Sequence, residues 1–139
     1  MNRSKAIRDM ASLMVLHNLN KQAPLAKVIT WCTWAVNSGH VEYVYEGTEM
    51  VGFMDWIRSD TIPIDHDYQS IIDSGTYSTG DVAIALNCCV VRGKDTLRKL
   101  IKSARAKTQG CQTLVWHNRK KGTMVYHKGG ELCNATAVC

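Results

Sequence analysis

The spacing of apolar residues in this 139-residue sequence predicts a mixed α/β fold, with one mixed sheet of about five strands and helices on both of its faces. Two stretches near the amino terminus repeat apolar residues at helical spacing, and stretches of β-forming residues follow them. A basic amphipathic stretch then separates two predicted strands, and a helix between two strands of one sheet implies a right-handed parallel crossover. The predicted order is therefore helix, helix, three strands, helix and two strands (ααβββαββ).

The first two helices have apolar stripes and recognisable ends. In the first, at 3–20, apolar residues such as Ile7 and Met10 recur on one side. Pro24 suits the first turn of the second helix, and Gly39 follows its last apolar residue. The sequence therefore predicts two consecutive amphipathic helices before the first strand.

The remaining elements are predicted from strand-forming runs, turns and one further helical stripe. They are, in order, a hairpin at 41–57, a long polar connection at 58–78, a buried strand at 81–91, a helix at 94–107, and strands at 112–118 and 123–127. In the third helix, the residues predicted to face inward are Leu97, Leu100, Ile101 and Ala104. The polar connection at 58–78 is unusually long, and connections of this length are often functional.

The composition, with 45% hydrophobic and 21% charged residues, is that of a single globular domain covering residues 1–139. No apolar stretch is long enough to span a membrane, and the amino terminus lacks the pattern of a targeting segment, so we expect a soluble cytoplasmic protein. The six cysteines are scattered and form no C-x-x-C pair, which favours reduced thiols over a disulfide framework or a zinc site. Asp65, His66 and Asp67 are possible ligands, but adjacent side chains point in different directions, so no metal site is predicted.

Positive charge is concentrated in the carboxyl-terminal half of the chain. Of the seventeen lysine and arginine residues, eleven lie within 92–128, where Asp95 is the only acidic residue, and the net charge is +5. Such a patch attracts nucleic acid, an acidic protein or a phosphorylated cofactor, and a solvated helix face explains it equally well. Charge alone does not choose among these partners.

The junction between the strand at 81–91 and the basic helix that follows is the strongest functional signal. Unpaired N–H groups at a helix start and the helix dipole both favour anions, so this junction predicts a site for a phosphate-bearing acyl carrier. The amides around Val90 and Val91 are expected to hold a thioester carbonyl. The residues expected to contact the donor are Val90, Val91, Arg92, Gly93, Lys94 and Thr96.

The turn after this strand resembles that of the GNAT acyltransferase superfamily, which commonly follows an Arg-x-x-Gly-x-Gly or Ala pattern and grips pantetheine and pyrophosphate. Arg92 occupies the first position, and Gly93 and Lys94 fill the two variable positions. Asp95 and Leu97 stand where the pattern has small residues, so a carboxylate would face the pyrophosphate. The resemblance implies a GNAT-like fold and an acyl thioester donor.

A closer resemblance, over most of the chain, is to one branch of that superfamily, the RTX toxin-activating lysine acyltransferases. His17 follows Leu16 near the end of the first helix, as that family's catalytic histidine follows a leucine. The further segments that resemble the family, in the same order, are 24–36, 50–56, 79–81 and 122–130. The resemblance implies an acyl group on acyl carrier protein, a lysine amine as acceptor, and a catalytic histidine and aspartate.

In this resemblance, the family's histidine corresponds to His17 and its aspartate position falls on Asn87. Asparagine cannot take a proton, so Asn87 could orient a histidine, bind a carbonyl or polarise an oxyanion, but could not act as a base. An imidazole titrates near neutral pH, so His17 could relieve a lysine ammonium of its proton. The alternative is that His17 only caps or packs the first helix.

The sequence therefore predicts an acyltransferase that moves an acyl group from acyl carrier protein or coenzyme A to an amine such as a protein lysine. His17 and Asn87 are its predicted catalytic residues. The alternative is a non-catalytic GNAT-like module that uses its basic face on nucleic acid or a protein partner. No membrane partner is expected, and a homodimer is left open.

Overall fold

The computed structural model describes residues 2–17, 19, 24–61, 79–118, 122–127 and 132–134. In chain order its elements are α1 (Arg3–Leu16), α2 (Leu25–Ser38), β1 (Val41–Glu46), β2 (Glu49–Ser59), β3 (Val82–Val90), α3 (Thr96–Lys107), β4 (Thr113–Asn118), β5 (Gly122–His127) and β6 (Leu132–Asn134). This order confirms the predicted α/β class, and β6 is a short further strand that the sequence does not predict. Residues 62–78 of the predicted long connection lie outside the described residues.

Local capping fixes where the two amino-terminal helices begin and end. The side chain of Asn2 accepts hydrogen bonds from the N–H groups of Ser4 at 2.9 Å and Lys5 at 3.3 Å, which satisfies donors that the first turn of α1 leaves free. Pro24 precedes α2, and Gly39 ends it in a left-handed conformation with a φ of 74°. Both ends of α2 agree with the sequence prediction.

The strands lie in the order β1-β2-β3-β4-β5-β6 in one six-stranded sheet. β1 pairs antiparallel with β2, and the register shifts between Val44 and Tyr45. β3 pairs parallel with β4, whereas the pairs β4 with β5 and β5 with β6 are antiparallel. The parallel pair on either side of α3 confirms the predicted parallel connection in a mixed sheet.

The chain divides into two compact units, each made of two segments. The first consists of Met1–Asp55 and Asn87–Ala106, and the second of Trp56–Leu86 and Lys107–Cys139. Strands β2 and β3 contribute residues to both units. The single domain expected for 1–139 stays a prediction.

In the first unit, helices lie on both faces of the sheet. On one face, Phe53 of β2 is buried in a core with Met10 of α1 and Cys32 of α2. On the other face, a Cβ atom at Gly52 would lie 2.6 Å from Cγ2 of Thr96 in α3, so a glycine is needed for this close approach. Because neighbouring residues of a strand point to opposite faces, α1 and α2 lie across the sheet from α3.

Helix α3 buries a narrower face than its sequence predicts. Leu100 is buried and Ala104 is half-buried, whereas Leu97 and Ile101 are 45% and 36% exposed. The prediction that Leu97 and Ile101 face inward is therefore wrong. The helix has its buried side at Thr96 and Leu100, and this leaves the neighbouring strip of apolar residues in contact with solvent.

The second unit has its own buried residues, which include Ile57, Ile84 and Val115. Arg58 of β2 donates two hydrogen bonds to the carbonyl oxygen of Gly80, at 3.0 and 2.7 Å, just before β3 begins. These bonds tie the end of one strand to the start of the next. In the described part of the chain, no helix is long and apolar enough to cross a membrane.

Candidate active site

A fully buried carboxylate, Asp55 of β2, lies in the first unit. It accepts hydrogen bonds from the indole N–H of Trp31 on α2 at 2.8 Å and from the main-chain N–H of Asn87 on β3 at 2.8 Å. The side-chain amide of Asn87 adds a third donor. Burial raises the pKa of Asp55 to about 6, although the three donors favour its ionised form. A buried ionisable group with a strongly shifted pKa marks a candidate functional site.

The sequence-based prediction does not include Asp55. Its signal in the sequence is a carboxylate inside the β-forming stretch at 50–57, where the inward face of a strand is otherwise apolar. A second signal is Asn87, the polar interruption of the next apolar strand. A polar group removed from water in a strand is expected to have a hydrogen-bond partner, and in the structure these two residues are hydrogen-bonded to each other.

Asn87, a predicted catalytic residue, has its side-chain amide fixed by Asp55. The amide nitrogen Nδ2 lies 3.1 Å from Oδ1 and 3.0 Å from Oδ2 of the carboxylate. An ionised carboxylate only accepts hydrogen bonds, so the nitrogen faces Asp55 and the amide oxygen faces away. Binding a carbonyl or polarising an oxyanion would need the amide nitrogen, which is directed at Asp55 and would have to use its second N–H group.

His17, the predicted general base, is the residue at which α1 ends. Its main-chain N–H donates to the carbonyl oxygen of Leu13 at 2.9 Å, and the residue is exposed. Among the described residues, no hydrogen bond joins His17 to Asn87, the other predicted catalytic residue. A catalytic role for His17 stays a prediction.

The turn between β3 and α3 depends on one glycine. Gly93 has a φ of 99°, a left-handed conformation that favours glycine, and a Cβ atom there would collide with the hydroxyl oxygen of Thr96. That hydroxyl donates to the carbonyl oxygen of Arg92 at 2.8 Å, and Thr96 is buried. The side chain of Thr96 therefore closes the turn, and its predicted contact with a donor stays a prediction.

Four main-chain N–H groups at the start of α3, two just before Thr96 and two in the first turn, have no acceptor in the described part of the chain. They belong to Lys94, Asp95, Leu97 and Arg98. Such groups attract anions, and the positive end of the helix dipole adds to the attraction. The carboxylate of Asp95, 4.0 Å from the guanidinium of Arg98, opposes it.

Arg92, predicted to bind the donor, is engaged within the chain. Its guanidinium lies 3.1 Å from the carboxylate of Glu46 and 2.8 Å from that of Glu49, which flank the turn between β1 and β2. These hydrogen bonds raise the pKa of Arg92, so the side chain stays charged. An anionic ligand would have to compete with both carboxylates for this guanidinium.

Val90 and Val91 end the strand with exposed side chains, next to the exposed Gly93 and Lys94. The main-chain N–H of Val91 donates to the carbonyl oxygen of Val51 at 2.8 Å. This amide is therefore not available to a thioester carbonyl, contrary to the expectation from the sequence. The six residues that the sequence predicts to contact the donor do lie together at one end of β3. That any of them contacts a donor stays a prediction.

Metal ligands and thiols are the other groups that could carry chemistry in this protein. Within the residues that the structure describes, no three His, Cys, Asp or Glu side chains are arranged to hold a metal ion. The adjacent ligands at 65–67 lie outside them, as do residues 128–130 of the segment that resembles the RTX-activating family. Four cysteines are free thiols, namely Cys32, Cys88, Cys89 and Cys111.

The fold of this chain is similar to that of an N-acetyltransferase from Staphylococcus aureus Mu50. The two sequences are 14% identical, the likeness covers 83% of this chain and 77% of that chain, and the TM-score is 0.48. No family model matches the sequence, and no curated protein matches it. The resemblance to GNAT acyltransferases accordingly rests on the element order and on the residues of this chain.

Proposed function

We propose that this protein is a GNAT-type acyltransferase, which moves an acyl group from a carrier thioester to a primary amine. The observation that carries the proposal is the β3–α3 turn, where Gly93 and Thr96 shape a helix start whose leading N–H groups have no acceptor among the described residues. The order of helices and strands and the Arg92-Gly93-Lys94 turn support the same class.

The donor is held through its phosphate groups. The N–H groups of Lys94, Leu97 and Arg98 are suited to phosphate oxygens, because they are unpaired and lie at the positive end of a helix dipole. The exposed side chains of Lys94 and Arg98 add positive charge. Arg92 contributes only when its guanidinium leaves Glu46 and Glu49.

The reaction is attack of an uncharged amine on the thioester carbonyl carbon. The nitrogen lone pair forms the C–N bond, the tetrahedral intermediate collapses with cleavage of the C–S bond, and the thiolate leaves. The amine loses a proton to a base, and the thiolate takes one up. In the proposal His17 is that base, since an exposed imidazole can accept a proton from an amine and return it to solvent or to the leaving sulfur.

Within this class, the surface of α3 favours acyl carrier protein over free coenzyme A as donor. The exposed apolar side chains of Leu97 and Ile101 form a strip, and the exposed cations Lys94, Arg98 and Arg105 flank it. Free coenzyme A needs no such surface, whereas an acidic carrier protein would bury the apolar strip and pair with the cations. The acceptor in this proposal is a protein lysine.

The test measures donor binding and acyl transfer separately. Acetyl coenzyme A and acetylated acyl carrier protein are each titrated against the protein, and transfer to n-butylamine is followed by mass spectrometry. We expect Leu97→Glu to weaken binding of the carrier protein by roughly tenfold or more and to leave binding of acetyl coenzyme A within about twofold. Lys99→Ala, on the same helix, is the matched control. The absence of binding to either donor would overturn the proposal.

A second candidate function is a binding module without catalysis. The observation that favours it is the pairing of Arg92 with Glu46 and Glu49, which reduces the charge available at the predicted phosphate site. In that case the exposed cations of α3 would each contribute to binding of an oligonucleotide, and each removal would lower the salt dependence of binding by about one unit of slope. Oligonucleotide binding without acyl transfer would establish it.

A further inference from the structure

The carboxylate of Asp55 and the side chain of Asn87 form a hydrogen-bonded pair that has a defined direction, with the amide nitrogen toward the carboxylate and the amide oxygen away from it. Asp55 is fully buried, and Asn87 is half-buried. Both hydrogen bonds from Nδ2 and the bond from the main-chain N–H of Asn87 end on this one carboxylate. Asn87 is therefore held by Asp55 through both its main-chain N–H and its side-chain nitrogen.

The oxygen of the Asn87 amide is an acceptor that this arrangement leaves available. Oδ1 receives no hydrogen bond from any residue that the structure describes. Because an amide is planar, Oδ1 points away from the carboxylate that binds Nδ2. The site thus offers an oriented acceptor on a half-buried side chain.

An acceptor in this position suits an attacking amine. A primary amine directs its lone pair at the carbonyl carbon while its N–H groups need acceptors, and an acceptor fixed in advance reduces the entropic cost of that orientation. As the C–N bond forms, the nitrogen gains positive charge, so its N–H bond to an acceptor becomes stronger in the transition state.

We propose that Asp55 is a positioning residue that holds Asn87 with its amide oxygen as the acceptor for an N–H group of the acceptor amine. This inference rests on the proposed acyl transfer, since it assigns the amine side of that reaction. It gives Asn87 a role that needs no proton transfer, which is consistent with an asparagine at this position.

The ionisation of Asp55 controls the direction of the pair. A protonated Asp55 has an O–H donor, and the amide of Asn87 could then turn its oxygen inward and its nitrogen outward. Among the described residues, the titratable groups that Asp55 affects electrostatically include the thiols of Cys32 on α2 and Cys88 on β3, and Val41 is paired with it on β1. Burial raises the pKa of Cys32 to about 12 and raises that of Cys88, so both thiols stay neutral while Asp55 changes charge near pH 6.

The experiment follows the side-chain amide signals of Asn87 by ¹⁵N–¹H NMR in the full-length protein, with n-butylammonium as the probe. In the wild type we expect these signals to titrate near pH 6, and the probe to shift them at pH 7.5 but not at pH 5. In Asp55→Asn both responses should be lost. Cys89→Ala is the control for a loss of packing, because Cys89 lies on β3 with Asn87 and is buried in the core of the first unit. This variant should keep both responses.

Kinetics provide the second measurement. Asp55→Asn and Asn87→Ala should each lower kcat/KM for n-butylamine by roughly tenfold or more, and the double variant should lose little beyond that, because both changes remove one oriented acceptor. The affinity for the donor should stay within about twofold. If the Asn87 amide of the wild type does not respond to the amine, the inference about Asp55 and Asn87 is overturned. Failure to bind either donor overturns the proposed function instead, and the NMR result then decides whether Asn87 binds an amine.

Discussion

The guanidinium Nη2 of Arg92 lies 2.8 Å from Oε2 of Glu49, so the cation at the end of β3 is paired with the hairpin between β1 and β2. Both side chains are about half exposed to solvent. Exposed ion pairs contribute little to stability, because water screens both charges. The pair is therefore weak enough to open when a phosphate group competes for Arg92.

Glu49→Gln should strengthen donor binding. The substitution removes one of two carboxylates that occupy Arg92, and we expect the affinity for coenzyme A to rise by no more than severalfold at low salt, because an exposed ion pair is weak and is screened by salt. Isothermal titration calorimetry at two salt concentrations measures this. Glu42→Gln, on the same hairpin, is the control, and an affinity that does not respond to Glu49→Gln would mean that Arg92 takes no part in anion binding.

Asn87→Asp should destabilise the protein at high pH. The substitution restores the carboxylate of the resembling family, yet it places that carboxylate against the buried Asp55 in place of the amide donor. Two carboxylates in contact share one proton at low pH and repel each other when both ionise. We expect a loss of at least about 2 kcal/mol in unfolding free energy at pH 8, with a smaller loss at pH 5.

Urea unfolding at both pH values measures this loss, with Asn87→Ala as the control that removes the donor without adding a charge. Acyl transfer by Asn87→Asp is measured in parallel. The resemblance to the RTX toxin-activating family would favour a gain in activity from a carboxylate at this position, whereas the contact with Asp55 leads us to expect no gain. An equally stable variant with faster transfer would contradict the assigned direction of the pair.

The sequence predicted the framework better than the site, and particular residues show why. The stripe that begins at Ile7 and the boundaries at Pro24 and Gly39 depend on neighbours along the chain, so periodicity and turn chemistry were sufficient. The pairing of Asp55 with Asn87 joins residues 32 positions apart, and no local pattern encodes it. A residue in a strand gives no sign of what packs on it until its neighbouring strand and helix are known.

The same limit explains the error on α3. Its helical period correctly identifies Leu100 as buried, but Leu97 and Ile101 on the adjoining strip are apolar and exposed. Periodicity defines a stripe, whereas the surface available on the sheet decides how much of it is covered. Gly52, with no side chain, admits α3 at Thr96, and this contact sets which side of the helix is buried.

The stability of the wild type should depend on pH through Asp55. Burial raises its pKa from an ordinary value of 3.8 to about 6. The folded protein therefore binds this proton more tightly than the unfolded chain does, and the contribution is fully present below about pH 4 and lost as pH rises through about 6. A shift of this size corresponds to about 3 kcal/mol.

Comparison of the wild type with Asp55→Asn isolates this effect from other ionisable groups. The difference in unfolding free energy between the two proteins should change by a few kcal/mol between pH 4 and pH 7, in the direction that favours the wild type at low pH. Urea unfolding at several pH values measures it. A constant difference across this range would show that Asp55 has an ordinary pKa in the folded protein.

His17→Ala should separate catalysis from folding. His17 lies exposed at the end of α1, and its hydrogen bond to Leu13 uses the main chain, which alanine retains. We therefore expect an unfolding midpoint close to that of the wild type, since exposed substitutions usually change stability by less than about 0.5 kcal/mol. Loss of a general base, in contrast, should lower acyl transfer by at least about 10²-fold.

The control is Asn37→Ala, an exposed residue near the end of α2 that the proposed mechanism does not use. Added imidazole should restore part of the transfer in His17→Ala, because a small base in solution can take the place of the missing side chain, and it should not accelerate the control. Donor binding should be the same in all three proteins. Unchanged turnover in a folded His17→Ala would remove His17 from the mechanism. The amine would then lose its proton to solvent, and Asn87 would be the remaining predicted contact of the amine.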